Sequence, residues 1–297
     1  MRNFVTTRSG FLSFVGRPNV GKSTLMNALI GEKVAITSSK PQTTRKTIRG
    51  IVTREAGQLI IVDTPGLHRP RTLLGERLNA LVETTLGDVD VIGMCLPADE
   101  PIGKGDRFIL EQLARYPRAK VVAIVTKTDR VSSTQVLNKL AEVGELREWT
   151  LVIPVSAERR DGVDEFIAAL IPLMQESPLL YPDDAVSDES IESRIPEIVR
   201  ESVLEELSDE LPHSLAATLT DIVREGNRTK VFVSLIVERD SQKGIIIGKR
   251  GSMLRLIGER SRPAIEKLLG TSIYLDLHVT IAKEWQRDPK ALGKLGF

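Results

Sequence analysis

The sequence predicts an α/β fold in two parts: a mostly parallel sheet with helices on both faces, then a smaller α+β domain. Three observations carry that reading. Short apolar runs alternate with amphipathic segments as far as Glu176. The composition then breaks, because ESPLLYPDDAVSDES mixes prolines, serines and acids without periodicity. Beyond the break, helix and strand patterns follow in a different order. At roughly 150 residues per domain, 297 residues accommodate two cores. The expected boundaries are a first domain at 1–176, a linker at 177–190 and a second domain at 191–297.

In the first domain FLSFVG, LIIVD, VIGMCLP, VVAIVTK and LVIPVSA read as strands. Their near-continuous apolar character is what burial on both faces demands, hence a largely parallel sheet. STLMNALIG, the run from Leu73 to Thr85, DRFILEQLAR and DEFIAALIPLM carry helical spacing. In the second domain IPEIVRESVLEELSDELP reads as a helix. SLAATLTDIVREG and KVFVSLIVERD read as strands joined around Gly226-Asn227. GIIIGKRGSMLRLIGERSRPAIEKLLG reads as helix, break, helix, and SIYLDLHVTIA alternates as a final strand. The order is α-β-β-α-α-β.

Composition narrows the function classes. Hydrophobic residues make up 41% and charged residues 27%, which excludes a disordered chain. The apolar run Val121 to Val125 is among the longest, against about 20 residues for a membrane helix. MRNFVTTRSG lacks the apolar stretch of a signal peptide, so a cytoplasmic location is expected. The single cysteine, Cys95, excludes a disulfide framework and reads as a small buried hydrophobe. His68, His213 and His278 lack metal-ligand spacing. The net charge of +1 hides a separation. Residues 183–210 hold eleven acidic and two basic side chains, whereas 224–262 hold ten basic and four acidic. The basic stretch suits a polyanion, although any charged helix face has this look. Aromatics at 4% are too few for a base-stacking platform.

GRPNVGKS, Gly16 to Ser23, matches GxxxxGKS. It follows an expected strand and opens an expected helix, the context a phosphate loop requires. Its glycines let backbone N–H groups turn toward phosphate oxygens, and the helix N-terminus adds its dipole. Gly16, Asn19, Val20, Gly21, Lys22, Ser23 and Thr24 are therefore candidate nucleotide contacts. Lys22 is placed to reach the β- and γ-phosphates, and the Ser23 hydroxyl to bind Mg²⁺. Asp63 ends the strand LIIV and opens DTPG, Asp63-Thr64-Pro65-Gly66. A carboxylate at that strand end suits Mg²⁺ through water, and the Gly66 N–H suits a γ-phosphate sensor.

TKTD, Thr126 to Asp129, follows the strand VVAIV. Asp129 can accept hydrogen bonds from guanine N1 and the exocyclic amine, a donor pair adenine lacks. VSA follows the next strand, and the backbone of Ser156 and Ala157 can meet guanine O6. The ordered set GRPNVGKS, PQTTR, DTPG, TKTD, VSA resembles the translation-factor-related GTPases. IIGKRG, with Gly248 to Gly251, resembles the GxxG loop of a KH domain, and α-β-β-α-α-β is the order of a type II KH fold. A GTPase joined to one such domain, with QTTRK in switch I, resembles the Era GTPase family of ribosome assembly. The likeness covers the chain from about Gly10 to its end.

The resemblance implies more than the residues alone. Thr44, ahead of Arg45 and in preference to Thr43, aligns with the switch I threonine that completes the Mg²⁺ shell in the GTP state. Lys22, Thr44 and Gly66 become the catalytic set, and Ser23, Thr44 and Asp63 the metal set. Lys127 packs on the base. Gly248, Lys249, Arg250 and Gly251 approach RNA phosphates, while Ile245 to Ile247 and Leu254 line the adjacent groove or the core. GTP, GDP and Mg²⁺ are implied, with 16S ribosomal RNA near its 3′ end and the 30S subunit as partners. A monomer with weak peripheral contact at the inner membrane face completes that picture.

Two departures stand out. Thr126 occupies the place of the usual asparagine, and its shorter side chain does not reach guanine N7 in the same way. Leu67 follows DTPG where Ras-like enzymes have a water-orienting glutamine, so slow intrinsic hydrolysis is expected. Asn19 has two readings: a ligand for a potassium ion that replaces an arginine finger, or a turn asparagine bonded to its own loop. The rival function is an RNA-binding protein whose G domain is a passive nucleotide sensor. A P-loop ATPase or kinase conflicts with TKTD.

Overall fold

The computed structural model describes residues 7–38, 40, 43–66, 70, 72–207, 214–226 and 228–297. Packing divides the chain into two compact units. The first comprises Met1–Ala35, Thr44–Arg69 and Leu78–Asp188, and the second Ile36–Thr43, Pro70–Arg77 and Glu189–Phe297.

The elements assigned by the first part of the chain run β1 (Arg8–Val15), α1 (Lys22–Ile30), β2 (Ile48–Arg54), β3 (Gly57–Asp63), α2 (Leu73–Asp88), β4 (Val91–Pro97), α3 (Lys104–Leu113), β5 (Lys120–Thr126), α4 (Ser133–Gly144), β6 (Leu151–Pro154), α5 (Val163–Leu170) and β7 (Gln175–Glu176). The sheet order is β2-β3-β1-β4-β5-β6, with β7 pairing on β1. The pairings β3–β1, β1–β4, β4–β5 and β5–β6 are parallel, as the apolar runs imply. Every residue of β3 and β4 is buried. Alternate residues feed two cores, one on each face. Leu12 and Phe14 meet Leu25, Met26, Phe166 and Leu170. Val15, Ile92 and Met94 meet Leu86, Ile109 and Val143. Because these strands are parallel, the loops after β1, β3, β5 and β6 emerge along one edge, where ligands of open α/β sheets bind.

Four elements were not expected. β2 and β7 pair antiparallel with β3 and β1. In β2, Arg49 and Arg54 interrupt the apolar pattern that marks the other strands. Helix α4 carries a start signal that the apolar pattern alone does not reveal: Ser132 and Gln135 form a capping box. The six-residue helix α9 is described below. The expected linker is also more structured than its composition suggests. Leu180 and Tyr181 donate their N–H groups to Gln58 Oε1 at 2.9 Å each, and Ile51 N–H bonds the Val186 carbonyl at 3.0 Å. A run of prolines and acids shows no periodicity, yet a buried amide and an edge strand give it partners.

The second unit has α6 (Ile191–Glu206), β8 (Ala216–Glu225), β9 (Arg228–Val237), α7 (Asp240–Ile247), α8 (Ser252–Leu269), β10 (Ile273–Ile281) and α9 (Pro289–Lys294). β8 and β9 pair antiparallel, and β10 runs parallel to β9. Asn227 of the connecting turn lies outside the described residues. Val231, Val233, Leu235 and Val237 all point into one core with Ile195, Val199, Ile246, Ile257 and Ile265. α9 caps the chain beyond the expected last strand; Trp285, fully buried just before it, donates to the Ser214 carbonyl at 3.0 Å.

Candidate functional site: phosphate loop, base pocket and GxxG turn

The loop after β1 is built on backbone that side chains resist. Gly16 has φ 154° and Gly21 φ 97°. A β-carbon at Gly16 would lie 2.8 Å from Val20 Cγ2 and 2.9 Å from the Cys95 carbonyl oxygen, so only glycine fits. Asn19 sits at φ 63°, a conformation asparagine tolerates better than most residues. The loop is braced from outside: Arg17 donates to the fully buried Asp106 at 2.8 Å and pairs with Glu100 at 3.1 Å. Helix α1 then starts at Lys22, and its free N–H groups face the loop.

Lys22 Nζ donates to the Gly16 and Arg17 carbonyls at 2.9 Å each, holding the ammonium across the loop. Burial lowers its pKa, against the charge of Asp63. Asp63, at the end of β3, is fully buried. Its Oδ2 accepts from Ser23 Oγ at 2.8 Å and from Thr44 Oγ1 at 2.9 Å, and the two hydroxyls lie 3.3 Å apart. Burial raises the Asp63 pKa, while those two bonds and Lys22 oppose the rise. Asp63 Oδ1 has no protein hydrogen-bond partner. One carboxylate with an unpartnered buried oxygen and two adjacent hydroxyls form a hard-oxygen donor set, which suits Mg²⁺ shared with phosphate. Among the described residues no cluster of three His, Cys, Asp or Glu side chains offers a rival site.

The structure also separates Thr44 from Thr43. Thr44 joins Ser23 and Asp63, whereas Thr43 Oγ1 donates to the Lys40 carbonyl at 2.7 Å. A β-carbon on Gly66 would lie 3.9 Å from Lys22 Nζ, so the DTPG backbone runs beside the lysine. Thr64 is buried. Leu67, Gln42 and the histidines His68 and His213 lie outside the described residues.

The base motif sits one loop along. Asp129 lies in a 3₁₀ turn, Thr128–Arg130, and accepts from Ser156 Oγ at 2.7 Å. Lys127 has φ 55°, and its ammonium pairs with Glu100 at 3.2 Å. Thr126 is buried and donates its hydroxyl to the Val20 carbonyl at 2.7 Å, tying base loop to phosphate loop. The Ser156 N–H is committed to the Asp161 carbonyl at 2.9 Å, so of the two expected O6 donors only Ala157 keeps that reading. Sequence reasoning placed Ser156 for its backbone and missed its side chain, which orients Asp129. A hydroxyl beside an expected carboxylate was the available signal.

In the second unit the GxxG turn links α7 to α8. Gly248, Arg250 and Gly251 have φ 71°, 54° and 77°. A β-carbon at Gly248 would lie 2.7 Å from Met253 Cβ, whereas Gly251 faces open space. Lys249 and Arg250 are exposed, and no ion pair among the described residues engages them. The three isoleucines before the turn divide: Ile246 is core, Ile245 is 51% exposed and Ile247 is partly buried, as is Leu254. Part of the basic stretch is neutralised, since Arg260 pairs with Glu206 at 2.5 Å and Lys230 with Glu225 at 2.9 Å.

Comparison with known proteins identifies the family. A family model described as 50S ribosome-binding GTPase matches residues 11–127, and one described as KH domain matches residues 210–286. GTPase Era of Leifsonia xyli is 61% identical, covering 98% of this chain and 99% of its own. GTPase Era of Mycolicibacterium smegmatis is 56% identical with the same coverage. The chain belongs to the Era GTPase family. It is a GTP hydrolase with a P-loop G domain and a KH domain. Two solved structures superpose with TM-score 0.93 at 32% identity, covering 98% of this chain and 99% of theirs. One is an Aquifex aeolicus Era variant bound to GDP·AlF4⁻. The other is an Era in complex with MgGDPNP and nucleotides 1506–1542 of 16S ribosomal RNA.

Proposed function

We propose that the chain is a GTP-driven switch that binds 16S ribosomal RNA near its 3′ end through the GxxG turn and assists 30S subunit assembly. The observation that carries this reading is the likeness, over 98% of the chain, to an Era held with MgGDPNP and a 16S fragment. Lys22, Thr44 and Gly66 form the catalytic set. Gly16, Asn19, Val20, Gly21, Ser23, Thr24, Thr64, Pro65, Thr126, Lys127, Asp129, Ser156 and Ala157 complete the nucleotide site.

Ser23, Thr44 and Asp63 would hold Mg²⁺, which supplies positive charge against the phosphate oxygens. Lys22 neutralises charge on the β- and γ-phosphates, and the Gly66 N–H faces the γ-phosphate. Thr44 would give up its bond to Asp63 for a metal bond when the γ-phosphate is in place. That exchange would fix the loop around Thr44 in the GTP state, the recurrent device of GTPase switches. Asp129, fixed by Ser156, selects guanine. Gly248 to Gly251 form the turn that brings the exposed Lys249 and Arg250 side chains to RNA phosphates.

Several finer features belong to the same reading: a potassium ion beside Asn19, a monomeric state, cytoplasmic work and weak contact with the membrane surface. That contact would be peripheral, because no helix among the described residues is long and apolar enough to cross a membrane. The test is titration of the GTP-loaded protein with the 3′-terminal segment of 16S RNA and with a 23S segment of equal length, at fixed salt. Tight binding confined to the 16S segment supports the reading. Equal binding to both reduces the second unit to a nonspecific polyanion binder. GTP binding without turnover, with or without RNA, supports the passive sensor instead.

A further inference from the structure

We propose that this protein recognises guanine without reading its N7, because the one hydroxyl proton of Thr126 is committed to the phosphate loop. The proposal deepens the base reading above and rests on Asp129 as the guanine selector. Thr126 ends β5, is 4% exposed, and donates to the Val20 carbonyl at 2.7 Å. A threonine hydroxyl has one donor proton, whereas an asparagine amide has two. An asparagine at this place has one N–H for the loop and another for a ring nitrogen that only accepts. Thr126 has to choose, and the structure assigns its proton to the loop.

The choice is stable for a physical reason. Val20 is fully buried. Turning the hydroxyl away would strip a bond from a buried carbonyl, and such groups are costly to leave unmatched. A hydrogen bond to N7 in an open nucleotide cleft returns less, because water competes for that nitrogen. The Watson–Crick edge is treated differently. Ser156 Oγ donates to Asp129 Oδ1 at 2.7 Å, which orients the carboxylate. A carboxylate has about four acceptor sites, so capacity remains for the N1 proton and the exocyclic amine. Discrimination therefore rests on donors of the base, and a purine that lacks N7 loses nothing. The ligand class accepted includes 7-deazaguanine nucleotides and excludes those that lack the 2-amino group.

Competition against fluorescent GDP on the full chain with Mg²⁺ tests this, using GTP, 7-deaza-GTP, inosine triphosphate and ATP. GTP and 7-deaza-GTP are expected to compete within about 2-fold of each other, and inosine triphosphate and ATP to be weaker by about 10-fold or more, the worth of a charge-assisted hydrogen bond. A 7-deaza-GTP weakened by about 5-fold or more while inosine triphosphate stays excluded overturns the N7 proposal and leaves Asp129 standing. Inosine triphosphate or ATP competing as well as GTP overturns the base reading itself. Thr126→Asn is expected to create a preference for GTP over 7-deaza-GTP of about 5-fold or more, and Thr126→Ser to keep the unmutated profile. An asparagine variant that binds GTP yet stays indifferent to N7 counts against the proposal. The unmutated protein decides the main question, so the result does not depend on any variant folding.

Discussion

The Thr44 hydroxyl donates to Asp63 Oδ2 at 2.9 Å, joining two residues 19 apart in sequence. The Thr43 hydroxyl donates to the Lys40 carbonyl instead. The neighbouring threonines are chemically alike, yet one faces the Ser23–Asp63 pair and the other does not. Thr44→Ala should therefore slow Mg²⁺-dependent GTP hydrolysis by about 10-fold or more, the scale on which loss of a group that supports a metal site is felt. GDP affinity should change little, since the metal bond from Thr44 belongs to the GTP state. Thr43→Ala should leave turnover within about 2-fold, because neutral surface-side bonds contribute only about 1 kcal/mol. Single-turnover hydrolysis of both variants at saturating Mg²⁺ makes the comparison, and equal losses would refute the assignment of Thr44.

Asp129 is a negative acceptor aimed by Ser156 Oγ at 2.7 Å. Asp129→Asn puts an N–H donor where guanine presents its own donors and suits the extra carbonyl of xanthine. Preference should move from GTP toward xanthosine triphosphate by about 10- to 100-fold, equivalent to about 1.5–3 kcal/mol for a charged hydrogen bond. Ser156→Ala should weaken all guanine nucleotides modestly without changing base preference, because it loosens the carboxylate and leaves its charge. Competition binding with both triphosphates reads both effects, and an unchanged guanine preference in Asp129→Asn would remove TKTD from the base site.

How much of this was legible beforehand follows from which interactions are local. The parallel strands were visible because burial on both faces leaves an apolar signature, as in β3 and β4. β2 was hidden by Arg49 and Arg54, whose place at a sheet edge only tertiary pairing explains. The motif residues were legible because loop chemistry demands particular side chains at particular spacings. Their mutual ties were not: Thr126 bonds Val20 across 106 residues, and Ser156 bonds Asp129 across 27. Gln58 was equally illegible as the anchor of the segment after Glu176, since a glutamine in a strand announces no partner.

Cys95 is fully buried, and burial pushes its thiol up to about 12 from an ordinary value of 9.0. The folded state therefore favours the neutral thiol. That contribution is complete below about pH 9 and is lost as pH rises from 9 toward 12. The stability advantage of the unmutated protein over Cys95→Ala should shrink across this window in urea melts run at matched ionic strength. Iodoacetamide at pH 8 should label the folded protein only at the rate at which it opens, since the thiolate is the nucleophile. Rapid labelling of folded protein would contradict the burial of this side chain.

Gly251 has φ 77° and open space where a β-carbon would go. An acidic side chain there meets no clash, so the expected damage comes from charge and mild backbone strain rather than from a widened turn. Aspartate tolerates the left-handed region better than most residues. Gly251→Asp should weaken RNA binding by about 1–3 kcal/mol through repulsion of the phosphate path, and GTP turnover without RNA should be unchanged. Gly251→Asn carries the same backbone demand without the charge and should lose clearly less. Equal RNA affinity of Gly251→Asp and the unmutated protein, titrated at one salt concentration, would take the GxxG turn out of the interface.

At Asn19 both backbone conformation and side-chain chemistry bear on hydrolysis. Its φ of 63° means that Asn19→Ala would strain the phosphate loop and slow hydrolysis whatever the side chain does. Asn19→Gly removes the amide while permitting that backbone. If the Asn19 carbonyl oxygen helps hold a potassium ion near the β–γ bridging oxygen, the ion supplies part of the charge that an arginine finger brings. Such a finger is worth about 10³ to 10⁵ in rate, so a partial substitute of about 10-fold is a modest expectation. Hydrolysis should then run faster in potassium than in sodium at equal ionic strength, and Asn19→Gly should erase the difference while keeping its sodium rate. Equal rates in the two salts for the unmutated protein would remove potassium from the reaction. A potassium effect that survives in Asn19→Gly would move the ion to other ligands and leave Asn19 as a residue that shapes the turn.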